Sequence, residues 1–166
     1  MVEKETYPWS GTFGDLGSDD QHSVTRLVFE GGAIEGTTEQ ILVRLGRTRK
    51  LALLRVKATD RIVGVAALKV PADVYRWNKF AAACVPLAGF ETAPELGYVV
   101  VAKDMRGRRL SGELVEMISK EIREPSFATT DSSTMIKNLQ RSGFVRAGQE
   151  WQGQKGALSL WTFTPR

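Results

Sequence analysis

The sequence predicts a mixed α/β (α+β) fold, in which strands and helices alternate along one domain that spans residues 1–166. Two strand-like runs, 50–58 and 61–70, are joined by a short turn and predict a hairpin. A valine-rich run at 96–101 precedes a basic turn and a stretch with apolar residues at helical spacing. Two further strand-like runs lie around a glycine-containing turn within 145–163.

The composition narrows the class of protein but does not determine its function. The formal net charge of +4 fits an anionic small ligand and fits nucleic acid equally well. Cys84 is the only cysteine, so we expect no intramolecular disulfide and no cysteine metal cluster, and we predict no metal site. No apolar run approaches the ~18 residues that span a bilayer, and no secretory signal is evident. We therefore expect a cytoplasmic protein that does not enter the membrane.

The first 50 residues predict a weak strand and two helices. Residues 1–18 have no helical period and favour at most an irregular strand. The polar residues 18–20 are predicted to cap a helix that ends at the glycine pair 31–32. Thr37 or Thr38 is predicted to cap a second, shorter helix.

The stretch 71–85 reads as an inserted helix rich in aromatic residues. Tyr75 and Trp77 lie on it, and both residue types are good surfaces for ligand stacking. Two interpretations stay open: the helix covers the sheet, or it forms one wall of a binding site. Further along, 126–144 reads as a strand and a helix that ends at Gly143, with Asp131 as the favoured cap.

The stretch 95–121 is the most informative part of the chain. A strand leads into a basic turn that contains Arg106, Arg108 and Arg109, and an amphipathic helix follows. The N-terminus of a helix offers unpaired backbone N–H groups and a positive dipole end, which together favour an anion. The pattern predicts a phosphate site. The alternative is an ordinary strand-to-helix connection with a solvated basic face.

This stretch resembles the acyl-CoA loop of the GNAT superfamily of acyl-CoA-dependent N-acyltransferases. The family pattern is Gln or Arg, two residues, Gly or Ala, one residue, and Gly or Ala. Its six positions align with Arg106 to Ser111. Two positions depart from it: Arg109 stands where glycine is usual, and Ser111 stands where glycine or alanine is usual. Glycine at the first of these positions allows a pyrophosphate to approach the backbone closely.

A second resemblance covers 126–163. A strand, a helix, the pair Gly143 and Phe144, and a final strand pair follow one another in the family's order. The resemblance implies a GNAT-like, mixed and mostly antiparallel central sheet flanked by helices. The coenzyme loop is expected between a central strand and an amphipathic helix.

The resemblance also implies an N-acetyltransferase that uses acetyl-CoA and acts on an amine by direct attack. Glu95, at the start of the coenzyme strand, is the candidate general base; the alternative is a strand-end carboxylate that lies in solvent or forms a salt bridge. The main chain of the strand is expected to bond the pantetheine arm and to polarise the thioester carbonyl. The expected coenzyme-binding residues are Val99, Val101, Arg106, Gly107, Arg108, Arg109, Leu110 and Ser111.

The candidate general acid is missing from the sequence. Many family members carry a tyrosine four residues before the Gly-Phe glycine, and here that position is Leu139. Ser132, Ser133 or a water is an alternative proton donor. A coenzyme-A-binding protein without turnover therefore remains an alternative function.

A nucleic-acid-binding or nucleobase-modifying protein is a further alternative. It would use the loop arginines together with a second basic cluster, formed by Arg44, Arg47, Arg49 and Lys50. No helix-turn-helix, zinc or RNA-binding motif accompanies these residues. The sequence leaves open the acceptor, the length of the acyl chain, and whether the protein is a homodimer.

Overall fold

A computed structural model describes residues 4–32 and 34–166. Within these residues the chain forms seven strands and five α-helices. The strands are β1 (Thr6–Gly11), β2 (Lys50–Val56), β3 (Ile62–Lys69), β4 (Glu95–Val101), β5 (Ser126–Thr130), β6 (Val145–Gln152) and β7 (Ala157–Phe163). The helices are α1 (Ser18–Gly31), α2 (Thr38–Gly46), α3 (Asp73–Ala82), α4 (Leu110–Glu121) and α5 (Ser133–Arg141).

The seven strands form one sheet in the order β1-β2-β3-β4-β5-β7-β6. Every neighbouring pair is antiparallel except β4 and β5. The expected mixed, mostly antiparallel sheet flanked by helices is therefore confirmed. The predicted hairpin is the β2–β3 pair, and the weak N-terminal strand forms and pairs with β2.

Helices cover both faces of the sheet. On one face, α1 and α2 pack against β2, β3 and β4 through a core that includes Val24, Leu45 and Val65. On the other face, α4 and α5 pack through Leu114, Ile118 and their neighbours. Helix α3 lies over β5, β7 and β6, where its Phe80 contacts Phe127. The face covered by α1 and α2 is thus also covered by α3 farther along the sheet, with a gap between α2 and α3.

The helix ends follow local chemistry, with two corrections to the sequence interpretation. Thr37 caps α2 as predicted, because its side chain accepts a hydrogen bond from the Gln40 N–H. The cap of α1 is Gly17 rather than the predicted residues 18–20, which lie inside the first turn. The cap of α5 is Ser132, whose hydroxyl accepts from the Met135 N–H, so the prediction of Asp131 as the cap was wrong.

Strand β4 carries a β-bulge at its centre. Ala67 of β3 pairs with Gly97 and Val65 pairs with Val100, so β4 has one extra residue between these two pairs. Tyr98 lies in this interval with φ 52°, a left-handed conformation that is uncommon for a residue other than glycine. The extra residue places Tyr98 on the same face of the sheet as the preceding Gly97, toward α1 and α2.

Strands β4 and β5 pair only at their beginnings. Glu95 is opposite Phe127, and the Phe127 N–H donates to the Pro94 carbonyl at 3.1 Å. Beyond this point the two strands separate. The edge of β4 that faces β5 is therefore open from Leu96 onward.

No helix in the described part of the chain is both long enough and apolar enough to cross a membrane.

Candidate functional site

A cavity of about 530 Å³ lies where the open end of β4 meets the start of α4. Its walls come from β4, the connecting loop, the end of α1 and the start of α5. We call this cavity the β4 groove. Its lining residues are Gly31, Val99, Val100, Val101, Met105, Arg106, Gly107, Arg109, Leu110, Ser111 and Thr134.

The loop between β4 and α4 is shaped by two residues with left-handed backbone. Gly107 has φ 82°, and Arg109, the N-cap of α4, has φ 62°. Arg109 thus adopts the left-handed conformation that glycine favours, at the position where the family usually has glycine. Next to it, the Arg106 guanidinium donates to the Val101 carbonyl at 3.3 Å, which ties the loop to the end of β4.

The first turn of α4 can accept an anion. The Glu113 N–H donates to the Arg109 carbonyl, so the N–H groups of Leu110, Ser111 and Gly112 precede the first intrahelical bond. These groups lie at the positive end of a helix of twelve residues. Exposed arginines flank them on the loop. Backbone donors and cations therefore converge at one end of the β4 groove, as a phosphate requires.

The other end of the groove is lined by β4 itself. Val99 and Val101 line it, and the edge of β4 there has no strand partner within the described residues. Main-chain N–H and C=O groups along such an edge are available to an extended ligand. The groove therefore combines an anion site with a strand edge.

Glu95 lies outside this groove, in a buried site on the α1–α2 face. Its side chain is 3% exposed. The Tyr75 hydroxyl donates to Oε2 at 3.0 Å, and Nζ of Lys69 lies 2.9 Å from Oε1. The Lys69 contact is an ion pair whose alignment is not that of a hydrogen bond, so Oε1 has no hydrogen-bond donor among the residues that the structure describes. A buried carboxylate with a free lone pair can take up a further proton donor.

Tyr75 acts as a donor to this carboxylate over a wide pH range. Burial is the main cause that raises the pKa of Tyr75 well above its usual value, and the Glu95 carboxylate raises it further. The phenol therefore stays protonated. Its hydrogen bond orients Glu95 from the side of α3.

A second cavity, of about 490 Å³, lies in the gap between α2 and α3. We call it the basic pocket, because Arg44, Arg47 and Lys69 line it together with Tyr75 and Tyr98. Nζ of Lys69 lies 4.4 Å from the centre of the Tyr98 ring and 5.5 Å from that of Tyr75. Two residues that contact Glu95 thus form part of the wall of this pocket.

Of the nine residues predicted as catalytic or coenzyme-binding, the structure brings seven together in one cavity. Seven of the eight expected coenzyme-binding residues line the β4 groove, and Arg108 is exposed outside its lining. Glu95 belongs to the buried site beside the basic pocket instead. Leu139 is fully buried in the core between α5 and the sheet. Within the described residues, no three His, Cys, Asp or Glu side chains are grouped to hold a metal ion.

Sequence reasoning missed Lys69 and Tyr98 altogether. Tyr75 was assigned only to a general aromatic surface, on which Trp77 was its companion. Trp77 is instead 59% exposed and lines neither cavity. The alternation of β3 was the available signal for Lys69, since a lysine at the end of an apolar strand must point to a charged or open site.

Solved structures share this arrangement of strands and helices. The chain is similar to a GNAT-family acetyltransferase from Streptococcus agalactiae, with a TM-score of 0.70, 11% identity, and 98% of this chain and 99% of that chain covered. It is similar to an acyl-CoA N-acyltransferase from Pseudomonas aeruginosa, with a TM-score of 0.66, 11% identity, and 95% and 99% coverage. For the ribosomal-protein-S18-alanine N-acetyltransferase from Escherichia coli, the TM-score is 0.61, the identity 12%, and the coverage 95% and 94%.

No family model matches the sequence, and no curated protein matches it by sequence. The likeness therefore lies in the three-dimensional structure, and at this identity it establishes the fold. The chain has the GNAT fold, as the two sequence resemblances indicated.

Proposed function

We propose that the protein is an acyl-CoA-dependent N-acyltransferase that transfers an acetyl group from acetyl-CoA to an amine. The observation that carries this proposal is the β4 groove. In it, a strand edge without a partner leads to a helix N-terminus and an arginine-containing loop. An acyl-CoA has the matching order of groups: a pyrophosphate at one end and an amide-rich pantetheine arm that leads to the thioester.

The binding residues have distinct roles in this proposal. The N–H groups at the start of α4 and the Arg106 side chain hold the pyrophosphate. The open edge of β4 at Val99 and Val101 hydrogen-bonds the pantetheine arm. Val99 directly follows Tyr98, the residue with left-handed backbone in the bulge. A pantetheine arm bonded at Val99 therefore brings the thioester to the bulge, where neighbouring residues of β4 line the groove and the basic pocket.

The transfer itself needs few protein groups. The amine nitrogen attacks the thioester carbonyl carbon, the new C–N bond forms, and the C–S bond breaks with its electron pair on sulfur. A main-chain N–H of β4 stabilises the oxyanion that forms in between. Glu95, directly or through a water, takes the proton that the attacking amine loses. Tyr75 and Lys69 fix the carboxylate in place for this step.

Two measurements test the proposal in order. Calorimetric titration with acetyl-CoA should show one saturable site. Replacing Arg106 by glutamine should weaken binding by about tenfold, the loss expected for one charge-assisted contact. Arg26→Gln, an exposed arginine on α1 outside both cavities, is the matched control. Thiol release from acetyl-CoA over a panel of amines then tests turnover, and the absence of saturable binding would refute the proposal.

A coenzyme-binding protein without turnover is the second candidate. Leu139 occupies the usual position of the acid tyrosine, and it is fully buried in the core. Leucine cannot donate a proton to the departing sulfur. Saturable binding of acetyl-CoA without thiol release, over amines of every charge type, would favour this candidate over the enzyme.

A further inference from the structure

Neighbouring residues of β4 line the basic pocket and the β4 groove. Tyr98 lines the pocket, whereas its neighbour Val99 lines the groove. These consecutive side chains point to opposite faces of the sheet, so the two cavities approach each other at this point of the strand. An acceptor in the basic pocket would therefore approach the strand where the proposed thioester lies.

Positive charge dominates the pocket. Arg44, Arg47 and Lys69 line it, with Glu35 as the one acidic residue among its lining residues. The Arg44 guanidinium donates to the main-chain carbonyl of Glu35 at 2.8 Å, which fixes its position and leaves further N–H donors free to bind. Arg44 and Arg47 form no ion pair with a carboxylate within the described residues.

The neighbouring basic residues behave differently. Arg49 pairs with Glu124, and Lys50 lies 3.9 Å from Glu121, so their charges are already balanced. Arg44 and Arg47 also stabilise the negative end of the α2 dipole, and that role alone would explain exposed cations at the end of a helix. It does not explain why Lys69, from the end of β3, and two tyrosines from other elements line the same cavity.

We propose that the acceptor is a small primary amine that also carries a carboxylate, such as an amino acid. This inference rests on the proposed function. The carboxylate binds the forked N–H donors of Arg44 and Arg47, for which a planar carboxylate is the matching acceptor. The amine lies deeper in the pocket, beside Tyr98 and Glu95. A cavity of about 490 Å³ has the size of a small-molecule site.

The atoms of the reaction balance without a further reactant. The acceptor nitrogen forms an amide bond to the acetyl carbon and loses a proton to Glu95. The sulfur leaves with the electron pair of the broken C–S bond and takes up a proton from solvent. The product is an N-acetyl amino acid whose carboxylate is unchanged.

Matched pairs of acceptors test the inference. Each amino carboxylate, in a series of increasing chain length that includes aromatic members, is compared with its own neutral amide in the thiol-release assay. The carboxylate should give a kcat/KM at least about tenfold higher than the amide, since a charge-assisted contact is lost in the amide. Arg44→Gln and Arg47→Gln should each raise KM for the carboxylate about tenfold and leave that for the amide unchanged. The control Arg26→Gln should change neither.

The outcomes distinguish a failure of this inference from a failure of the proposed acyltransferase function. If acetyl-CoA binds but the amides are accepted as well as the acids, or if no carboxylate in the series releases thiol, the inference is wrong and the coenzyme site stands. If the arginine variants weaken both members of a pair equally, the arginines only support the fold and the inference is again wrong. If acetyl-CoA shows no saturable binding, the proposed function is wrong, and so is the inference that rests on it.

Discussion

Lys69 and Glu95 face each other across the β3–β4 pair, with Nζ of Lys69 2.9 Å from Oε1 of Glu95. The carboxylate is almost completely buried, and the lysine side chain is largely buried as well. A buried charge without a counter-charge is costly, so each of these residues requires the other. The pair joins the end of β3, the start of β4 and, through Tyr75, the helix α3. It therefore links the basic pocket to the strand that lines the β4 groove.

Replacing Glu95 by glutamine should reduce turnover and spare coenzyme binding. Glutamine keeps the size of the side chain and removes its basicity, so we expect kcat to fall roughly ten- to a thousandfold. Acetyl-CoA affinity should change little, because the proposed phosphate site lies at the start of α4, away from Glu95. Single-turnover thiol release and calorimetry measure the two effects separately. Glu91→Gln, a change at an exposed carboxylate on the preceding loop, is the control, and unchanged turnover would remove Glu95 from the mechanism.

Replacing Tyr75 by phenylalanine should change the pH dependence of stability in the alkaline range. Burial and the Glu95 carboxylate raise the pKa of Tyr75 in the folded protein, whereas in the unfolded chain it is about 10. A raised pKa contributes stability that is fully present below about pH 10 and is lost as the pH rises further. The difference in unfolding free energy between the wild type and Tyr75→Phe should therefore be constant near neutral pH and shrink above about pH 10. Urea denaturation across this range measures it; a difference that persists unchanged would contradict the assigned environment.

Position 109 should accept glycine and resist a β-branched residue. Arg109 has φ 62°, so Arg109→Gly removes backbone strain, while the flexibility of glycine stabilises the unfolded chain by a similar amount. We expect the glycine variant to remain within about 1 kcal/mol of the wild type. Arg109→Val should be less stable than the glycine variant by about 1–2 kcal/mol.

The same two variants report on the coenzyme loop. If the backbone conformation at position 109 shapes the anion site, calorimetry should show acetyl-CoA binding retained in the glycine variant and weakened in the valine variant. Equal stability of the two variants would mean that position 109 does not hold the left-handed conformation in solution.

Arg76 should be required for the stability of the segment that carries α3. It is 3% exposed and donates to the carbonyls of Ala93, Glu91 and Pro71 at 2.9–3.1 Å. Arg76→Met would leave these acceptors without their donor, and we expect a loss of about 2–4 kcal/mol in unfolding free energy. Arg76→Lys should restore only part of the loss, because an ammonium cannot form the same forked set of bonds. Chemical denaturation measures these effects, with the exposed Asn78→Met as control; a loss no larger than that of the control would contradict the role of Arg76.

Gly148 should not tolerate alanine. It has φ 69°, and a Cβ there would lie 2.1 Å from the Ala83 carbonyl oxygen. That oxygen already accepts the Gln149 N–H at 2.9 Å, so β6 and the end of α3 are in direct contact. We expect Gly148→Ala to cost about 2 kcal/mol or more. The control is Gly14→Ala, where the nearest atom to the new Cβ is the Thr12 hydroxyl oxygen at 3.9 Å, and thermal unfolding distinguishes the two variants.

The sequence predicted the elements whose signals are local. The β2–β3 hairpin, α4 and the final strand pair each carry their own periodicity, and the coenzyme loop is continuous in sequence. The helix caps were less certain because neighbouring polar residues are equally good acceptors. For this reason the cap of α5 was assigned to Asp131 instead of Ser132. The cap of α1 was placed one to three residues late, because its actual cap, Gly17, has no side-chain acceptor to mark it.

The acceptor side of the candidate site could not be predicted in the same way. Lys69, Tyr75 and Glu95 come from three elements that only the folded chain brings together. The bulge was also invisible, since a tyrosine before three valines reads as a regular strand. A regular strand would place Val99 on the same face as Glu95, whereas the bulge places it on the opposite face.

The single extra residue in β4 has a consequence for how the protein can change over evolutionary time. Before the bulge and after it, the alternation of side chains is opposite in phase, so Val99 points away from the face that carries Glu95 and Tyr98. Tyr98 lines the basic pocket and not the groove, and Val99 lines the groove and not the pocket. In the proposed enzyme, substitutions at these two neighbouring positions would therefore act first on different substrates, so acceptor preference could diverge at Tyr98 while the residues that line the coenzyme groove stay the same.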